Sequence, residues 1–283
     1  MSYRDVIKIQ ELKDHLEDPN WVIIDCRYSI AEPDLGYQEY RQGHIPGALY
    51  VSLEEELTGE IIPGKTGRHP LPQLKDIVER LSSWGVNQDT QVVVYDHSTG
   101  AFAARLWWIL NWLGHEKVAV VNGGWEAWVK DIGQIENMEN SSKPSKFIPT
   151  VREDLAVDAQ FVDSIRSDPG YLLLDSRSPE RYHGIEEPID PIAGHIPGAV
   201  SVPYHDNLTD EGLFKSEREI RDRFSGVLGD ISPANTIFYC GSGVSAIHNL
   251  IAMRMAGFEM AKLYPGSWSE WITDPSRPIE AKS

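Results

Sequence analysis

Four segments of the chain occur twice, in the same order, and this duplication restricts the fold more than any other feature of the sequence. W-V-I-I-D-C-R at 21–27 returns as Y-L-L-L-D-S-R at 171–177, and G-H-I-P-G-A at 43–48 returns at 194–199. V-V-Y-D at 93–96 is matched by I-F-Y-C at 237–240, and G-G-W-E-A-W at 123–128 by G-S-W-S-E-W at 266–271. The offsets are 150 from Asp25 to Asp175, 151 from His44 to His195 and 143 from Trp128 to Trp271, so the halves are copies of one unit with small length changes.

Inside each copy, short apolar runs alternate with helical patterns. Segments 21–25, 91–96 and 118–121 are apolar on both faces, as strands of a parallel sheet covered by helices are. Between them, 72–84 sets Leu74, Ile77, Val78 and Leu81 on one helix face ahead of Gly85, and 101–113 and 9–16 also read as helices. The prediction is an α/β protein of two tandem domains, each a parallel sheet flanked by helices, over residues 1–132 and 154–283. Residues 133–153 are polar and aperiodic and read as a linker, and the Gly/Pro-rich stretch 60–70 as a loop.

Forty-three acidic residues against 26 basic ones give a formal net charge of -17, which argues against a nucleic-acid partner because no basic field faces the phosphates. No apolar run approaches the length of a membrane span, so no membrane partner and a cytoplasmic location are expected. Cys26 and Cys240 are too few for a disulfide framework and lack metal-ligand spacing, so neither a metal nor a cofactor is implied.

Cys240 ends the apolar run Ile237–Tyr239 and is followed by G-S-G-V-S-A at 241–246 and then a helical segment. A strand, a tight loop and a helix N-terminus turn successive N–H groups toward the thiol, which lowers its pKa and makes it a candidate nucleophile. The other copy carries Asp96 at the matched position. A carboxylate cannot perform thiol chemistry, so the first domain is expected to lack this activity. A phosphatase loop of related type needs an arginine six positions after the cysteine, where this chain has Ala246.

The chain resembles the tandem-domain rhodanese family, the thiosulfate and 3-mercaptopyruvate sulfurtransferases. The resemblance is carried by D-S-R at 175–177, R-Y-H-G at 181–184, the two G-H-I-P-G-A segments, C-G-S-G-V-S-A at 240–246, Y-P-G-S-W-S-E-W at 264–271 and the aspartate at position 96. It implies a ping-pong reaction without cofactor: Cys240 takes sulfane sulfur from a small anionic donor as a persulfide and hands it to cyanide, a thiol or a protein thiol. The loop residues Gly241, Gly243, Val244, Ser245 and Ala246 would hold that anion, and Arg181 matches the family arginine on the anionic end of the donor. By the same resemblance Ser242 works with a histidine and an aspartate from the first half, matched to His44 and Asp34. Gly241 and Ser242 stand where thiosulfate enzymes carry basic side chains, which favours mercaptopyruvate. Asp190 stands where mercaptopyruvate enzymes carry a second arginine, which weakens it, and both donors stay open. A carrier that passes its persulfide to one protein partner without steady turnover is the alternative.

Overall fold

The computed structural model describes residues 2–131 and 134–281. The expected end of the first domain at 132 and start of the linker at 133 lie outside the described residues.

The first unit holds five parallel strands. They are β1 (Asp5–Ile7), β2 (Trp21–Asp25), β3 (Leu49–Tyr50), β4 (Gln91–Tyr95) and β5 (Val118–Val121), in the sheet order β1-β5-β4-β2-β3. Flanking them are α1 (Ile9–Lys13), α2 (Leu35–Gln42), α3 (Leu74–Ser83), α4 (Ala103–Trp112) and α5 (Gly124–Asp131). Ile23, Val93, Tyr95, Ala119 and Val121 meet Ile7, Leu12, Ile45 and Trp128 in one core on one face of the sheet. Trp107 and Trp108 of α4 are likewise fully buried, so these aromatic residues serve packing.

The second unit repeats the design. The strands β6 (Leu172–Asp175), β7 (Val200–Ser201), β8 (Thr236–Tyr239) and β9 (Lys262–Leu263) form a parallel sheet in the order β7-β6-β8-β9. Its helices are α6 (Ala159–Ile165), α7 (Pro179–Tyr182), α8 (Glu217–Leu228), α9 (Ala246–Met255) and α10 (Ser267–Trp271). Ile237, Tyr239, Tyr264, Trp268 and Trp271 form its core with Val162, Leu173 and Ile196.

Matched residues make matched bonds. Arg27 forks onto Asp25 (Nη2–Oδ2 2.7 Å) and donates to the Gly43 carbonyl, and Arg177 does the same with Asp175 (2.6 Å) and Gly194. Arg27 lies over Trp125 and Arg177 over Trp268, at 4.6 and 4.9 Å from the ring centroids. The Asp–x–Arg pairs tie a strand end to the G-H-I-P-G-A turn in both copies.

Two short segments pack with the opposite half of the chain, 60–71 with the second and 210–214 with the first. The first unit comprises residues up to 59, 72–152 and 210–214, and the second 60–71, 153–209 and 215 onward. The polar stretch read as a linker belongs to the first unit: Glu136 exchanges backbone hydrogen bonds with His44, Asn140 bonds the Ala48 carbonyl, and Phe147 is buried. Its lack of periodicity reflects partners that are mostly polar groups rather than an apolar face. The stretch 60–70, read only as a loop, packs in the second unit as part of 60–71. There a Cβ on Gly67 would lie 2.6 Å from the Gly266 carbonyl oxygen, so only glycine allows that approach.

Candidate active site

Cys240 follows β8 directly, and its thiol is buried at the N-terminus of α9. Burial alone would push the thiol pKa up. Hydrogen bonds from the Ser245 hydroxyl and from the backbone N–H groups of Ser242, Ala246 and Val244 outweigh it, and the pKa falls below the ordinary thiol value. Gly243 makes the turn possible: its φ is +72° and an added Cβ would sit 2.2 Å from the Pro265 carbonyl oxygen. The Cys240 backbone is fixed from α10. Its N–H donates to Ser267 Oγ (3.1 Å), and its carbonyl accepts from Trp268 (3.0 Å). Ser267 has φ +54°, a left-handed conformation that its counterpart Gly124 adopts without a side-chain penalty. The serine hydroxyl in the thiol-bearing copy is what holds the cysteine N–H.

Asp96 shows what the same cradle does with a carboxylate. Its Oδ1 accepts from Ser98 and Gly100 (3.1 and 2.8 Å) and its Oδ2 from Phe102 and Ala103 (2.8 and 3.3 Å). Burial raises its pKa while these four donors oppose the rise. The first unit's anion nest is filled by the protein itself.

Ser242 Oγ lies 2.8 Å from Nδ1 of His69, both groups buried. This pairing takes the place of the one expected of His44. The His44 Nδ1–H donates to the Tyr40 carbonyl (2.7 Å), its Nε2 lies 3.2 Å from Asn140 Nδ2, and its ring stacks on Tyr40 at 3.9 Å. His195 makes the matching bond to Tyr182 (2.8 Å) and the matching stack (3.9 Å). Both histidines lock the turn of their own copy. Asp34, expected as the third member, is an exposed residue at the N-terminus of α2 with no side-chain cap bond. Sequence reasoning missed His69, although G-R-H-P at 67–70 is a basic patch in an acidic chain and has no counterpart in the other copy.

Arg181 lies beside the loop. Its Nε and Nη2 fork onto Glu187 (3.1 and 2.7 Å), and Nη2 also reaches Asp190 Oδ2 (3.0 Å). Arg68, not anticipated, binds the same aspartate through Nε (3.0 Å) and Nη2 (3.2 Å). An added Cβ on Gly241 would lie 2.8 Å from Arg68 Nη2 and 3.4 Å from Arg181 Nη2, so both guanidiniums stand over the residue that follows Cys240. The sequence casts Asp190 as repulsive toward an anionic donor. Its carboxylate is instead engaged by two arginines. Among the described residues no helix is long and apolar enough to cross a membrane.

The rhodanese-like domain model matches residues 8–131 and 158–274. The chain is 43% identical over 280 residues to the probable 3-mercaptopyruvate sulfurtransferase of Pseudomonas aeruginosa, covering 99% of each chain. It is 40% identical over 259 residues to the putative thiosulfate sulfurtransferase SseB of Mycobacterium tuberculosis, covering 91% of this chain and 89% of that one. Among solved structures, the 3-mercaptopyruvate sulfurtransferase from Leishmania major superposes with a TM-score of 0.85 at 30% identity, over 98% of this chain and 77% of that one.

Proposed function

This chain belongs to the rhodanese family and is a tandem-domain sulfurtransferase, and we propose that it takes sulfur from 3-mercaptopyruvate and carries it as a persulfide on Cys240. The observation that carries the choice of donor is the 2.8 Å contact between Ser242 Oγ and His69 Nδ1. A keto acid whose leaving group is an enolate needs a proton and a polarising donor at its oxygen; thiosulfate, which releases sulfite, needs neither. The relatives named above divide between the two donors, so likeness alone does not choose.

The Cys240 thiolate attacks the donor sulfur, forming an S–S bond as the C–S bond breaks and its electron pair moves to carbon, giving the enolate of pyruvate. With Nδ1–H of His69 donating to Ser242 Oγ, the serine O–H is free to donate to the enolate oxygen. The proton that completes the methyl group of pyruvate is the one the donor thiol carried, released as Cys–S–SH becomes Cys–S–S⁻. The persulfide anion lies among the N–H groups that already lower the thiol pKa. Cyanide or a thiolate then attacks the outer sulfur, leaving as thiocyanate or a new persulfide and restoring the Cys240 thiolate.

The test is kcat/KM for each donor with cyanide as acceptor, together with the mass of the enzyme after donor alone. Preference for 3-mercaptopyruvate with one added sulfur on the peptide bearing Cys240 is expected. Preference for thiosulfate would overturn the donor assignment, and turnover without added sulfur on that peptide would overturn the persulfide.

A further inference from the structure

We propose that Arg68 is a specificity-determining residue that receives the carboxylate of the donor, and that Asp190 is the positioning residue that holds it over the nucleophile loop. The inference rests on the donor reading above. Asp190 and Glu187 are only 2% and 3% exposed in their side chains, whereas Arg68 and Arg181 retain 29% and 17%. The carboxylates are therefore the buried struts and the guanidiniums the accessible face. Each arginine is anchored through its Nε and Nη2 edge. Among the described residues neither Arg68 Nη1 nor Arg181 Nη1 has a hydrogen-bond partner. Arg68 Nη2 and Arg181 Nη1 and Nη2 stand over Gly241, so a donor whose sulfur lies at Cys240 and whose other end extends past Gly241 comes beside both guanidiniums, each of which has an Nη1 left to donate to a carboxylate oxygen.

Charge balance points the same way. Arg68, Arg177 and Arg181 are matched by Asp175, Glu187 and Asp190 in one connected network. With no surplus positive charge, the network offers aimed N–H donors rather than a strong cationic field, which suits a monoanionic carboxylate better than a dianion. It also answers how a strongly acidic chain collects an anion: the donors are aimed locally, by a residue 122 positions from its anchor.

The experiment compares wild type with Arg68→Ala, Arg68→Lys and Asp190→Asn, using 3-mercaptopyruvate and the carboxylate-free α-mercaptoketone 1-mercaptopropan-2-one as donors. Losing one charged hydrogen-bonding partner should raise KM for mercaptopyruvate about ten- to a hundredfold in R68A, with kcat changed far less. R68K should fall between, because it keeps the charge and loses the fork, and D190N should shift KM in the same direction as R68A. With the mercaptoketone, R68A and wild type should share one kcat/KM. An unchanged KM for mercaptopyruvate in R68A overturns the proposal, as does an equal loss with both donors, which would mark a purely structural residue. If R68A fails to fold, R68K carries the same comparison. Should wild type use thiosulfate and not mercaptopyruvate, the donor reading fails by itself; KM for thiosulfate in the same variants then decides whether Arg68 binds the anionic end of the donor.

Discussion

Ser245→Ala removes one identified contribution to the reactivity of Cys240. Burial raises the thiol pKa, and the Ser245 hydroxyl is the leading hydrogen bond against that rise, ahead of three backbone N–H groups that the substitution leaves in place. A hydrogen bond to a charged group contributes about 1.5–3 kcal/mol, and one pKa unit corresponds to about 1.4 kcal/mol. Loss of that hydroxyl should therefore raise the Cys240 pKa and lower the thiolate fraction below the acid limb of kcat/KM about ten- to a hundredfold. The sign is fixed: the bond favours the thiolate, so its loss moves the acid limb of kcat/KM to higher pH. At any pH below that limb the rate falls about tenfold for each pH unit the limb has moved. Above the limb the variant should match wild type, since a more basic thiolate is no weaker a nucleophile. Ser245 precedes α9 but makes no side-chain capping bond, so the melting temperature should hardly change. Ser245→Thr keeps a hydroxyl and should restore the wild-type limb. An acid limb in S245A that coincides with wild type, with folding intact, would refute this account of the thiolate.

Cys240→Ser should abolish sulfur transfer. Cys26→Ser should leave it intact, because burial first and then the Asp25 and Asp96 carboxylates push the Cys26 thiol well up and keep it protonated; donor–cyanide assays on both variants check this. His69→Asn should lower kcat with mercaptopyruvate by about a hundred- to ten-thousandfold, while His44→Asn should cost about 1–3 kcal/mol of stability and leave kcat alone; urea unfolding beside steady-state kinetics separates the two. Asp96→Cys should place a thiol in the first unit's nest without sulfur transfer from it, read as the absence of a second added sulfur when donor is supplied.

The parts of the fold that the chain spells out locally were legible. Strands buried on both faces cannot hide their apolar runs, and duplication doubled the signal for Asp25 and Asp175, for the turn histidines and for the closing Trp-containing helices. β1 escaped because three residues carry no readable period. The nest around Cys240 is legible through its mismatch with Asp96; the Ser242–His69 contact is not, because the motif present in both copies points to His44. The comparison of copies argues the other way: a histidine present in both, with the same tyrosine stack in both, is explained by the fold, whereas His69 occurs once, as Cys240 does. Asp190 looked repulsive for a related reason. A carboxylate's effect depends on its neighbours, and Arg68 becomes its neighbour only through folding.

The two nests also show how one substitution changes what a shared backbone holds without either fold being lost. Each is a strand end followed by converging N–H groups, and such a ring is costly to leave empty because buried donors need acceptors. Aspartate satisfies four of them with its own two oxygens and leaves nothing for an external group. Cysteine presents one sulfur atom to them, and in the persulfide proposed above a second sulfur would keep its charge inside the ring. The surroundings of the two nests differ as well. Arg181 falls opposite Ile30 or Ala31 at the repeat offsets, Ser267 opposite Gly124, and the Arg68–His69 segment belongs to the second unit alone. The first unit keeps the converging N–H groups, lacks the side chains that stand around Cys240, and fills its own nest with a carboxylate that accepts four of those bonds.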